Sequence, residues 1–194
     1  MQGTESNLNQ FRNHLDQFST LSDLQFKVVV DHIKIRKLKK HEVLLHEDQV
    51  VDHTFWINKG LLISTFTQDD GREHIIQFAI ENCWITDQQA YYNQERSKFR
   101  ITCLEDAEVF ALSYESRETL CAEIGELSHF FRRKANDSFV KLQQRLLTYL
   151  TSDAQQRFEL LCEEYPTLIQ RISKKRLAAY LGVTRETLSR FTRS

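Results

Sequence analysis

The residues best suited to chemistry crowd into one end of this chain. Between Gln170 and Ser194 stand seven basic residues, Arg171, Lys174, Lys175, Arg176, Arg185, Arg190 and Arg193, against the single acid Glu186. The 194 residues together carry a formal charge of −1, so the remainder is acidic. A basic end on an acidic body is the charge footprint of a nucleic-acid-binding module, and a solvated basic helix face gives the same footprint. Arg185, Glu186, Ser189 and Arg190 fall at i, i+1, i+4, i+5, one face of a helix. Arg can donate twice to guanine and Glu can accept from cytosine, while Thr184 and Ser189 suit phosphate or apolar base-edge contact. The competing reading is a surface helix in which Glu186 and Arg190 form an i,i+4 pair worth about 0.3–0.5 kcal/mol.

Local signals say what holds these side chains. Ser173 can cap a helix over Lys174–Leu181, with Leu177, Ala178 and Leu181 inward. Gly182 can take the positive φ of a tight turn, and Val183 plugs the corner. Thr184 then caps a second helix, Arg185–Phe191, with Leu188 pointing back into the pair. Helix, glycine turn, helix is a helix-turn-helix, and the small Ala178 lets the two helices cross closely. This spacing predicts DNA contacts from Ser173, Lys174, Thr184, Arg185, Glu186, Ser189 and Arg190.

Upstream, Glu126 to about Thr151 runs without Gly or Pro. Phe131, Ala135, Ser138, Leu142, Arg145 and Tyr149 recur at 4-3-4-3-4 spacing, a two-helix seam that predicts a dimer interface. A neighbouring register, Phe139, Leu142, Leu146 and Leu150, fits nearly as well, and a buried bundle helix is the alternative. A helix longer than the usual 11–12 or so residues favours a dimer spine. Before it, from Ile33 to about Leu112, short runs rich in Val, Ile, Phe, Trp and Thr alternate with polar turns. They are Glu42–His46, His53–Ile57, Leu61–Thr67, Glu73–Ile80, Phe99–Leu104 and Glu108–Leu112, with turn chemistry at Asn58-Lys59-Gly60 and Asp69-Asp70-Gly71. This reads as a compact antiparallel barrel or roll. Residues 82–98 show no strand pattern and read as a loop, either functional or disordered. At the start, Leu8, Phe11, Leu15 and Phe18 mark a surface helix, and Ser22 caps another from Asp23 to about His32, ending in a Lys/Arg cluster where cations suit a helix C-terminus.

Composition narrows the classes further. Five Gly and one Pro exclude collagen-like and linker-like chains. No window approaches the ~18–20 apolar residues of a membrane span, and MQGTESNLNQ has no signal-peptide pattern. Cys83, Cys103, Cys121 and Cys162 are scattered, which suits reduced thiols in a cytoplasmic protein. Ungrouped cysteines do not make a cluster site, and His41, His46, His53 and His74 converge on a metal only if the fold brings them together. Without a Walker loop, GxSxG or HExxH, an enzyme is not expected.

The segment Ile172–Arg190 closely resembles the helix-turn-helix of the Crp/Fnr family, the cyclic-AMP-receptor-like bacterial transcription regulators. Glu47–Leu62, with Asp52-His53, Ile57 and Lys59-Gly60-Leu61, is similar to that family's opening roll strands. The Asp-Gly hairpin, Arg96-Ser97 and the long helix follow in the family's order. The resemblance implies an α+β chain: an N-terminal antiparallel β-roll of jelly-roll, cyclic-nucleotide-binding type, a long dimerisation helix, and a C-terminal helix-turn-helix of reduced winged type. The implied domains are residues 1–125, 126–151 and 152–194. The implied partners are a second copy of the chain, palindromic double-stranded DNA and, as a further option, RNA polymerase. By the same resemblance Arg185, Glu186 and Arg190 read base edges, and Asp87, Arg96 and Ser97 form the effector site.

Two departures shape the expectation. The family's cassette has Gly-Glu upstream of Arg-Ser, with the Glu on the ribose hydroxyl and the Arg on the cyclic phosphate. Here Thr86-Asp87 stands in its place and Lys98 follows Ser97. The effector is therefore left open between cyclic AMP, another small anion and none. The stretch from Pro166 to Ser173 is also too short for a wing hairpin, giving a minimal DNA-binding module. The alternative function is a small-molecule sensor or interaction module with weak or vestigial DNA binding.

Overall fold

The computed structural model describes residues 2–191, with the side chains of residues 2–5 excepted; Arg193 of the basic cluster lies outside the described residues. The chain gathers into two compact units. One holds the chain up to Thr65 together with Gln77–Ala135; the other holds Phe66–Ile76 and the chain from Asn136 onward.

In the first unit, α1 (Gln2–Leu15) and α2 (Asp23–Asp31) precede the strands. Ser22 starts α2 through a capping box: its hydroxyl accepts from Gln25 N while the Gln25 side chain accepts from Ser22 N. The strands are β1 (Ile33–Leu38), β2 (Val43–Leu45), β3 (His53–Lys59), β4 (Leu62–Thr67), β5 (Glu73–Ala79), β6 (Trp84–Ile85), β7 (Phe99–Cys103) and β8 (Ala107–Ser113), with α3 (Gln88–Asn93) between β6 and β7. They form two four-stranded sheets, ordered β1-β8-β3-β6 and β2-β7-β4-β5. Pairing is antiparallel where β8 lies between β1 and β3, with Ile35 opposite Phe110 and Phe55 opposite Ala111.

The two-residue period of a strand sorts the core into two layers. Phe55 and Ile57 of β3, with Val109 and Ala111 of β8, join Leu45, Val51, Leu62, Ile101 and Tyr91 inside the roll. The intervening Trp56, Phe110 and Leu112 face the other way and pack with Phe11, Leu15 and Leu120 in a second, aromatic core. Helix α4 (Tyr114–Glu123), capped by Ser113, and the start of α5 (Gly125–Thr151) close that second layer with Leu120, Leu127 and Phe130. His14 is buried in it, where its Nε2 accepts from Trp84 Nε1 at 3.0 Å. Desolvation, assisted by the charge of Lys134, pushes the His14 imidazole down to about 3.

Gly60 makes the β3–β4 turn possible. Its φ is +107°, its N–H donates to Glu81, and a side-chain carbon there would sit 2.8 Å from Ala107 Cα and the Asp106 carbonyl. At the β4–β5 turn the predicted Asp69-Asp70-Gly71 is closed by Gln68 N on the Arg72 carbonyl, with Gly71 at φ +83°.

Two sequence expectations change. Ile33–Leu38 is a strand, although its Lys and Arg residues read as the basic end of the preceding helix; they are exposed while β8 supplies the pairing. Residues 82–98 are no plain loop but carry β6 and α3, elements too short to leave a periodic pattern.

In the second unit, α6 (Ala154–Glu164), α7 (Pro166–Arg171), α8 (Lys174–Leu181) and α9 (Arg185–Phe191) follow α5. Asp153 caps α6 with a capping box, and Pro166 opens α7 at its first turn, where its missing N–H costs nothing. Helix α7 fills the stretch before Ser173, and no strand follows β8 among the described residues. Among the described residues, no helix is long and apolar enough to cross a membrane.

Candidate nucleic-acid interface and effector site

Helices α8 and α9 form the predicted pair. Ser173 Oγ accepts from Arg176 N at 3.4 Å, starting α8. The helix ends at Gly182, left-handed at φ +71°, whose N–H returns to the Ala178 and Ala179 carbonyls. Val183 N also reaches the Ala178 carbonyl at 3.0 Å, so two last-turn acceptors are satisfied as the chain reverses. Thr184 Oγ1 accepts from Thr187 N at 3.2 Å and starts α9. Leu177, Ala178, Leu181 and Leu188 are buried together with Leu161, Leu168 and Ile172. Arg157 of α6 holds the end of α8, with Nη2 3.2 Å from the Leu181 carbonyl.

That packing leaves a polar outer face. Ser173, Lys174, Thr184, Arg185, Glu186 and Arg190 are exposed, and Ser189 is half-buried beside them. Glu186 and Arg190 do not form an ion pair among the described residues. Glu186 instead turns back: its own backbone N–H and the Thr184 hydroxyl, then the Arg185 charge, hold its carboxyl below the ordinary range. Arg190 thus shares this face without an ion pair to the helix's one acid among the described residues.

The residues of the proposed seam divide. Phe131 is half-buried against the aromatic core, 5.7 Å from the Trp84 ring and under the Arg117 guanidinium. Ala135, Ser138, Leu142 and Tyr149 are exposed, as are Phe139, Leu146 and Leu150 of the neighbouring register. Arg145 is used elsewhere. Its Nη1 donates to the Ile76 carbonyl of β5 at 2.5 Å, and its guanidinium lies 4.5 Å from the Tyr180 ring of α8. Nothing in the helical spacing could signal that role, because both partners are distant in sequence.

Asp87, Arg96 and Ser97 lie close together but face different ways. Asp87 is 3% exposed and caps α3, accepting from Ala90 N at 3.2 Å. Its other oxygen takes the Ser97 hydroxyl and Lys98 N, each at 3.1 Å. Ser97 Oγ is buried and also accepts from Phe99 N at 3.0 Å. Arg96 points to the surface, where its guanidinium donates to the Asp48 carbonyl. The Thr86 hydroxyl donates to the His53 carbonyl. Tyr91 fills the roll interior, and burial raises its phenol against the opposing pull of the nearby Arg117 charge. A cyclic nucleotide needs a free carboxylate for its ribose and an inward cation for its phosphate. These residues do not fit one: the carboxylate is fully engaged and the arginine is turned away.

The comparisons follow the same outline. Residues 35–123 match the model of the cyclic nucleotide-binding domain. No curated protein sequence matches the chain. FixK2 from Bradyrhizobium japonicum superimposes with a TM-score of 0.72 at 17% identity, covering 83% of each chain. A protein from Eubacterium rectale assigned to the Crp/Fnr family of transcriptional regulators gives 0.67 at 16%, covering 89% of this chain and 82% of that one. The chain has the Crp/Fnr fold. The c-di-GMP-responsive global regulator CLP from Xanthomonas campestris shares that fold at a TM-score of 0.71 and 12% identity, over 89% of this chain and 90% of its own. The Crp/Fnr fold thus extends over both the roll and the helices after it. Among the described residues, no group of three or more His, Cys, Asp or Glu is placed to hold a metal ion.

Proposed function

We propose that this chain is a DNA-binding transcription regulator that acts as a homodimer. One observation carries the reading: a doubly capped helix pair closed by Gly182 leaves Lys174, Arg185, Glu186 and Arg190 exposed. Arg185 and Arg190 then reach base edges in the major groove, while Ser173, Lys174, Thr184 and Ser189 contact the phosphate backbone or the rim of the bases. The proposed division is a roll domain over 1–125, a dimerisation helix over 126–151 and a DNA-binding module over 152–194. Two-fold symmetry along the exposed apolar residues of α5 sets two such helices about one DNA turn, ~34 Å, apart on a palindrome. The regulators whose fold it shares support this reading, and control enters through the roll without a cyclic nucleotide.

Selection from random duplex DNA followed by anisotropy titration tests it. Wild type enriches a palindrome and binds with a steep salt dependence. Arg185→Ala loses about 1–3 kcal/mol of discrimination at one base position, whereas Lys174→Ala weakens every sequence alike. Failure to enrich any motif, with both variants matching wild type, overturns the assignment and leaves a sensor or interaction module.

A further inference from the structure

On the wall of the roll, β1, the start of β3 and the 46–52 connection surround a cavity of about 230 Å³. Its floor is apolar, made by the buried Leu45, Val51 and Phe55. Its rim is polar, made by Arg36, Gln49, Asp52 and His53. It does not include Asp87, Arg96 or Ser97.

Each rim group is set by a contact that leaves a defined function over. Gln49 Oε1 accepts from His46 N at 3.2 Å, so the two hydrogens of its amide remain as donors. His53 Nδ1 lies 2.6 Å from Asp52 Oδ1, and its ring stacks on Phe55 at 6.2 Å and 18°. The one acid of the lining is therefore engaged by its neighbour. Arg36 lies 6.0 Å over the Phe55 ring and has no carboxylate within 4 Å among the described residues. One unneutralised guanidinium and one free amide above an apolar floor define an anion carrying an apolar body. A single fixed cation suits one negative charge, and a planar fork suits a carboxylate. The volume is below the roughly 300–1,000 Å³ usual for drug-sized ligands, which suits a single ring or a short chain.

We propose that this cavity binds a compact monocarboxylate, an aromatic or short aliphatic acid, with its carboxylate on Arg36 and Gln49 and its body on Leu45, Val51 and Phe55. The site adjoins the segment around Arg96: Ser97 N donates to the Gln49 carbonyl at 2.8 Å, and Val51 N to the Glu95 carbonyl at 3.1 Å. Occupancy therefore bears directly on the backbone that carries the cassette. Any effect on DNA rests on the proposed function; the binding itself does not.

Isothermal titration of the full-length protein with benzoate and butyrate, in the absence of DNA, is the test. Saturable binding of one acid per chain is expected. Arg36→Gln, and separately the neutral benzamide in place of benzoate, should each weaken it about tenfold or more, the usual loss when a charged hydrogen bond goes. Arg36 is exposed, so the unliganded variant should melt like wild type, which separates lost binding from lost folding. No saturable heat from either acid up to millimolar concentration overturns the proposal. So does benzoate binding that is unchanged in Arg36→Gln or equalled by benzamide.

Discussion

Asp87→Ala is the sharpest test of what the cassette does. The carboxylate is 3% exposed and accepts three hydrogen bonds, from Ala90 N, the Ser97 hydroxyl and Lys98 N. Losing an N-cap costs about 1 kcal/mol. Losing two bonds to a buried charged acceptor, and stranding the Lys98 N–H, adds about 1–3 kcal/mol for each group left unmatched. The expected total is about 3–5 kcal/mol, and at about 2–4 °C per kcal/mol for a chain of this size Tm should fall on the order of 10 °C. Asp87→Asn keeps one acceptor and the side-chain volume, so it should lose roughly half as much. Thermal unfolding by circular dichroism, with and without cyclic AMP, reads both variants. Suppose instead that Asp87→Ala melts within about 2 °C of wild type and the wild type alone is stabilised by the nucleotide. The carboxylate would then face a ligand, and the structural role argued for it would be wrong.

Three further outcomes follow from the packing. His14 stays neutral when folded, since burial pushes it from 6.5 to about 3, while the unfolded chain protonates below about 6.5. Stability is therefore complete above that pH and lost as pH falls, by about 2 kcal/mol near pH 5; urea midpoints should show this slope in wild type and not in His14→Gln, and equal slopes would refute it. Gly60→Ala forces a side-chain carbon against Ala107 and Asp106 at positive φ, and should cost at least about 2 kcal/mol by urea unfolding; a wild-type midpoint would mean the β3–β4 turn can move away. Leu142 and Leu146 are 62% and 57% exposed, so Leu142→Asp with Leu146→Asp should convert a two-chain mass in light scattering to one. A monomeric wild type would remove α5 as the dimer seam.

What was legible in the sequence were features written in neighbouring residues. Ser22 with Gln25, Ser173 with Arg176, and Gly182 and Val183 with the Ala178 carbonyl satisfy one another within a few positions, so the helix ends they set could be read directly. The roll strands other than β1 and β6 showed through their alternation and turns. β1 was hidden because its exposed Lys and Arg imitate a helix terminus, and only pairing with β8 makes it a strand. α3 and β6, six and two residues long, are too short to repeat a period. The exposed residues of the helix pair were legible because their exposure follows from helix geometry. The engagement of Asp87 was not, since Ser97 and Lys98 reach it across ten and eleven positions. Arg145 looked like a seam residue for the same reason: spacing states which face a side chain leaves from, not where a flexible guanidinium ends.

That arginine has a consequence for genetics. Because Arg145 grips the Ile76 carbonyl and the Tyr180 ring together, the β4–β5 hairpin and the first helix of the helix pair share one anchor. Under the proposed function, a screen that selects for loss of DNA binding should return lesions around residues 72–76 alongside those in α9. Suppressors of such hairpin lesions should map to position 145 or 180, tracing the anchor by inheritance rather than by geometry.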